Sequence, residues 1–199
     1  MILMTSAVQA MADGHYREAV SSVAAALERC YEFYIRAVLY KRGLSKSTID
    51  DSWKTLAKQS ERQLGAFAVL YAAETHTPYK PLSSKMVEFR NNVTHKGIIP
   101  SSGEVVKFGR QVYDLIKKIY EDMNVLGDDA TKAVQQEALD LQRSEMPDNI
   151  DFVTLKIFGA RITDEEAGKA ELIDTFDELC QLILKSDDHK WGDMSTKTP

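Results

Sequence analysis

The stretch from residue 6 to about residue 42 constrains the fold more than any other part of the chain. It has no proline, is rich in Ala, Leu, Glu and Arg, and repeats apolar residues at Ala19, Val23, Ala26, Cys30, Phe33, Ala37 and Tyr40. Intervals of three and four place one stripe of a long helix against a core, because each turn takes about 3.6 residues. Gly14 is the only interior breaker, which predicts a short initial turn and then a long helix opening near His15 or Tyr16.

Further helical signals follow in series. Ser45, Ser47 or Thr48 can open SKSTIDDSWKTLAKQS, whose apolar side carries Ile49, Trp53 and Leu56. An apolar helix over residues 64–73 must end before Thr77-Pro78, since a residue preceding proline is pushed out of the helical region. Ser83 or Ser84 opens the next helix, with Met86, Phe89 and Val93 on one stripe, and Gly97 and Pro100 stop it. Ser101 followed by Glu104 has the form of a capping box. It precedes a helix with Val105, Phe108, Val112, Leu115, Ile116 and Ile119 inward.

Composition then turns acidic, with a linker expected at 124–129. Residues 130–145 read as helix, 146–149 as a turn and 152–158 as a short strand or extended loop. Thr163 with Glu166 suggests a cap before a helix reaching about Leu184, striped by Leu172, Phe176, Leu179, Cys180 and Ile183. The last dozen residues read as a flexible tail. The pattern predicts an all-α protein. Its parts are a helical bundle over 1–124, an acidic and mainly helical extension over 125–186, and the tail from 187.

At 199 residues, 44% apolar and 28% charged, the chain suits one soluble globular core with an appendage. No run approaches the ~18 apolar residues of a membrane span, so no membrane partner is expected. The opening MILMTSAVQAMADGHYREA has no basic leader or cleavage-like site and continues into an amphipathic pattern, which predicts a cytoplasmic protein. Cys30 and Cys180 lie in apolar-periodic segments, as buried thiols do. The net charge of −5 argues against a nucleic-acid partner until its distribution is seen. Residues 1–79 hold nine Lys/Arg against eight Asp/Glu (+1), residues 80–118 eight against three (+5), and residues 119–199 eight against nineteen (−11). A local basic field can attract phosphates within an acidic protein.

That basic segment contains RNNVTHKG, residues 90–97. Histidine exchanges a proton near neutrality, arginine offers a charged planar fork to phosphate oxygens, and Asn or Thr can hold a water, a ribose hydroxyl or the imidazole tautomer. These types suit RNA cleavage in which the 2'-hydroxyl attacks the adjacent phosphate: His95 moves the proton and Arg90 stabilises charge on the phosphorane. No metal or other cofactor is required, and the segment lacks the clustered Asp/Glu of metal-assisted phosphoryl transfer. On a regular helix, however, Arg90 and His95 stand five residues and about 140° apart. Fraying before Gly97, a wrapped arginine stem or a second chain could each bring them together. A plainer role also fits, with His95 at a helix end and Arg90 paired to Glu88 or to an acid near the C-terminus.

The stretch FRNNVTHKG strongly resembles the motif of the HEPN superfamily, an arginine followed by a polar residue and, four to six positions beyond the arginine, a histidine. Arg90, Asn91 and His95 fall on those three positions. The long first helix with Tyr16-Arg17-Glu18-Ala19 and Ala26-Leu27-Glu28, and the helix after Pro100, extend the likeness over roughly residues 6–123. The resemblance implies an antiparallel helical bundle of HEPN type and a homodimer that unites two motifs in one cleft. It implies a metal-independent endoribonuclease acting in a toxin, antiviral defence or RNA-processing setting, with Arg90, His95 and Asn91 catalytic. It also leaves room for a protein partner that inhibits or activates, and for a noncatalytic member that binds nucleotides or serves as a regulatory subunit. Lys96, Thr94, Lys107 and Arg110 flank the motif and are the expected RNA contacts.

Other residues fit plainer roles. Glu28 and Glu32 could orient an active-site base but more simply lie exposed or ion-paired. His15, His76 and His189 have no zinc-ligand spacing. Tyr113 and Tyr120 could stack on bases, although their helical spacing favours packing.

Overall fold

The computed structural model describes residues 2–145, 160–164 and 169–186. Those residues form eight α-helices, one 3-10 turn and a two-stranded hairpin, so the expected all-α class holds apart from that hairpin. The helices are α1 (Ile2–Ala12), α2 (Tyr16–Lys41), α3 (Lys46–Leu56), α4 (Ser60–Thr75), α5 (Ser84–Lys96), α6 (Ser102–Asp122), α7 (Asp128–Glu145) and α8 (Phe176–Ser186). The strands are β1 (Ala160–Asp164) and β2 (Lys169–Leu172). No described helix is long and apolar enough to cross a membrane.

Two compact units divide the chain. One takes residues 1–27, 81–118 and 156–199, and the other takes 28–80 and 119–155. Both draw on either side of residue 124, where the composition changes, so this division does not follow the compositional one.

In the first unit α1 packs on α8. Met4, Ala7, Val8 and Met11 supply a buried stripe on α1, and Leu179, Cys180, Ile183 and Leu184 one on α8. The segment before Gly14 is thus an eleven-residue helix rather than the short turn expected. Gly14 still marks the break, in the left-handed region at φ 79° where a side chain is disfavoured. Phe89 of α5 meets Phe108 of α6, ring centroids 5.6 Å apart. Phe176 at the start of α8 lies against α6 at Gly109, where a Cβ would come within 2.5 Å of its ring. The Tyr113 hydroxyl donates to the Ile173 carbonyl at 2.8 Å, fixing the approach to α8.

The expected cap at Thr163 and Glu166 is corrected. Thr163 lies in β1, which pairs antiparallel with β2 in the register Ala160↔Leu172, Arg161↔Glu171, Ile162↔Ala170. The helix starts instead at a second T-x-x-E: the Glu178 amide donates to Thr175 Oγ1 at 3.2 Å, and the Asp174 amide donates to the Glu178 carboxylate. The turn expected at 146–149, the extended stretch at 152–158 and the tail lie outside the described residues.

The second unit is built round an aromatic cluster. Phe67 and Tyr71 of α4 contact Tyr34 of α2 and Tyr79, and Tyr31 adds a ring 4.6 Å from Phe67. The Tyr31 and Tyr79 hydroxyls share a 2.8 Å hydrogen bond, and Tyr71 donates to Asp122 at 2.5 Å. Ser45 caps α3, accepting from the Thr48 amide, as one of the three expected openings. The expected linker at 124–129 is largely occupied by the 3-10 turn Met123–Leu126, and α7 already begins at Asp128.

Charges in this unit form a chain. Glu32 pairs with Arg29 and Arg36, Arg36 with Asp50 at 2.8 Å, and Lys46 with both Asp50 and Glu137. The Arg29 and Arg36 guanidiniums lie 6.0 and 5.7 Å from the Trp53 ring, within cation–π range. Glu32 is therefore an ion-pair partner on α2, the plainer of its two expected roles.

Candidate functional site

The RNNVTHKG segment is the last two turns of α5 and its cap. Met86 and Val93 are buried and Phe89 is half-buried, so α5 is held along the stripe expected from the sequence. Gly97 takes the left-handed conformation, φ 73°, and the amides of Gly97 and Ile98 both return to the Asn92 carbonyl. That closure satisfies an end carbonyl and keeps the helix regular through Lys96. The fraying that could have joined Arg90 to His95 is absent. The two side chains diverge by about 140° on the helical wheel.

Arg90, Asn91 and Asn92 are half-buried, whereas Thr94, His95 and Lys96 are exposed. Among the described residues Arg90, Asn91, Thr94, His95, Lys96 and Lys107 make no side-chain hydrogen bond or ion pair. The plainer expectation, Arg90 paired with Glu88 or a C-terminal acid, is thus not met among them.

Arg110 differs. Its guanidinium meets Asp177 through Nε, 3.1 Å from both carboxylate oxygens, and through Nη2 at 2.9 Å. Lys117 likewise pairs with Asp174 at 3.0 Å. Arg110, expected beside Lys107 as an RNA contact, faces a carboxylate 67 residues along the chain. Sequence proximity placed it beside the motif, and tertiary packing supplied its partner.

A helix N-terminus beside the motif, such as that of α6, can offer free amides to a phosphate. The capping box forms as read: the Ser101 amide and hydroxyl donate to the Glu104 carboxylate at 2.8 and 2.7 Å, and the Glu104 amide donates to Ser101 Oγ. Those bonds hold the Glu104 carboxyl below its usual range. This helix end therefore already carries an anion.

Two neighbouring features escaped the sequence reading. Ile98 and Ile99 are 51% and 76% exposed immediately after the motif, and Val87 is 38% exposed near the start of α5. An open cleft of about 250 Å³ is lined by Pro81, Leu82, Ser83, Gln111, Asp114 and Leu115. Asp114 is the only acid in residues 105–118, a sequence signal that could have flagged it.

Other candidates resolve structurally. Tyr113 is buried and hydrogen-bonded, with burial pushing its phenol up to about 12, so it presents no stacking face. Burial raises the Cys30 and Cys180 thiols to about 12, which makes them poor nucleophiles. His15 precedes α2 and His76 ends α4 in the left-handed region, both exposed, and His189 lies outside the described residues. No group of three or more His, Cys, Asp or Glu among the described residues is placed to hold a metal ion. Compared with protein-family models, curated proteins and solved structures, the chain matches none.

Proposed function

We propose that this chain is a metal-independent endoribonuclease of HEPN type, an antiparallel helical bundle that works as a homodimer with a composite site. One observation carries the reading. Arg90 and His95 stand on a regular helix without intramolecular partners among the described residues, yet too far round it to serve one phosphate in the simplest arrangement. A second copy supplies the missing convergence. The exposed residues along α5 and just past its cap support this: apolar Val87 lies at one end, polar Thr94 and His95 in the middle, and Ile98 and Ile99 beyond. A two-fold axis through the polar middle would set the apolar end of each copy against that of the other, as an isologous interface requires.

In the composite site one His95 accepts the proton of the ribose 2'-hydroxyl while that oxygen bonds to the adjacent phosphorus. The bond from phosphorus to the 5'-oxygen breaks, and the leaving oxygen takes a proton from His95 of the partner subunit. Arg90 stabilises the charge gathered on the phosphorane, and Asn91 orients the ribose or the imidazole. Lys96, Thr94 and Lys107 hold neighbouring phosphates. The products are a 2',3'-cyclic phosphate and a 5'-hydroxyl. A toxin or antiviral role, with a protein partner restraining the activity, fits this chemistry.

Purified protein incubated with mixed RNA in chelator is expected to yield fragments ending in 2',3'-cyclic phosphate. A folded His95→Ala variant is expected to lose about 10²–10⁴ in rate. Equal cutting by both proteins would remove His95 from the chemistry. Nucleotide binding without cutting by either would favour the noncatalytic reading, which the same unpaired groups would serve.

A further inference from the structure

We infer that the cleft between residues 81–83 and α6 is a base-recognition subsite that selects guanine in the RNA strand, a deepening that rests on the ribonuclease reading above. The cleft holds about 250 Å³, below the ~300 Å³ at which pockets for drug-sized ligands begin, so it suits one flat ring rather than a whole nucleotide. The cleft is open on one side, and Pro81, Leu82 and Leu115 offer apolar contact to one face of a ring.

Three polar groups face the same space. Asp114 is exposed, and neither it nor Gln111 makes a side-chain hydrogen bond or ion pair among the described residues. Ser83 occupies the N-cap position of α5, yet its hydroxyl makes no capping bond and stays available. A carboxylate offers two acceptor oxygens side by side, and the Watson–Crick edge of guanine offers two adjacent donors, the ring N1–H and the exocyclic N2 amine. Gln111 and Ser83 can donate to the neighbouring carbonyl oxygen O6. Cytosine and adenine present a single exocyclic amine beside a ring acceptor, which would face the carboxylate unfavourably.

The cleft also shares a side of α6 with Lys107, one of the expected phosphate contacts. Lys107, Gln111 and Asp114 recur at i, i+4 and i+7, on one side of α6 and within about 10 Å along its axis. A phosphate on Lys107, which has no partner among the described residues, would deliver the adjoining base to Asp114. A carboxylate set beside a cation in this order reads a base edge while the cation holds the backbone.

The test measures binding without cutting, on the His95→Ala protein, using labelled single-stranded RNAs that carry one guanosine or one inosine at the same place. Inosine keeps N1–H and lacks the N2 amine. The guanosine RNA is expected to bind about 10-fold tighter, Asp114→Asn to abolish that difference, and Lys107→Ala to weaken both RNAs equally. Equal binding of the two RNAs, or an equal loss for both in Asp114→Asn, would overturn the subsite. If unmodified protein still cuts RNA through His95 in that case, the subsite alone falls. If no RNA is bound and none is cut, the ribonuclease reading falls with it.

Discussion

In the unit containing α3 and α4, Arg29, Arg36, Lys41, Arg42, Lys46 and Lys54 end on carboxylates, whereas among the described residues the cations of α5 do not. Arg36 carries Glu32 on one side and Asp50 on the other, with its side chain 16% exposed and lying near Trp53. Arg90 is half-buried like Arg36 but faces no carboxylate among the described residues. A cation held at two points costs its partners when removed and has little left for a ligand. One held at none adds little to the fold and keeps its full hydrogen-bonding capacity, which is the pattern expected of a group reserved for binding.

Paired substitutions test this contrast most directly. Arg90→Ala is expected to lower RNA cleavage about 10²–10³-fold, with stability in urea within ~0.5 kcal/mol of the parent. Arg36→Ala is expected to lose ~1–3 kcal/mol of stability in the same titration and to leave cleavage by the folded fraction intact. A reversed outcome, with Arg90 stabilising and Arg36 catalytic, would break the comparison.

Gly109→Ala probes why Arg110 is not like Arg90. Alanine normally improves a helix interior, but here its Cβ would meet the Phe176 ring, itself 2% exposed and unable to yield cheaply. A loss of ~1–3 kcal/mol is expected. Unchanged or raised stability in thermal unfolding would mean that α8 is not seated on α6 as described.

The smallest effect concerns pH. Lys46 first, and then Arg36, hold the Asp50 carboxyl below its ordinary value, and Lys41 and Arg42 do the same for Glu74. Because folding lowers these pKa values, the stability they contribute is present above the unfolded pKa of about 4. It is lost as pH falls below that value and through the folded one. Denaturant midpoints measured between pH 6 and pH 3 are expected to fall, and less steeply in Asp50→Asn. Identical slopes would show that the pairing in solution is too weak to matter.

Local signals carried most of what the sequence disclosed. The three-and-four spacing of Ala19 to Tyr40 gave α2, the polar run Ser45 to Thr48 bracketed the start of α3 without choosing its cap, Ser101 with Glu104 gave that of α6, and Gly97 gave the end of α5. Each depends on groups within about four residues of one another, so no distant partner is needed. The same locality explains the error at the C-terminal end. Thr163-x-x-Glu166 and Thr175-x-x-Glu178 are indistinguishable as capping signals, and strand pairing between β1 and β2 excluded the first. Asp114 is likewise a single acid in a basic stretch of sequence, and only the fold sets Pro81 and Leu82 beside it in one cleft.

By itself, then, the sequence determined the helical class, the principal helix ends and the angular separation of Arg90 from His95, all consequences of backbone periodicity and short-range hydrogen bonds. Only the tertiary structure decided which cations are engaged. It set Arg110 against Asp177 and left Arg90 and Lys107 without a partner among the described residues. The reason is that charge pairing depends on separation in space, and no period in the sequence encodes which residue 67 positions away will lie 3 Å from a guanidinium.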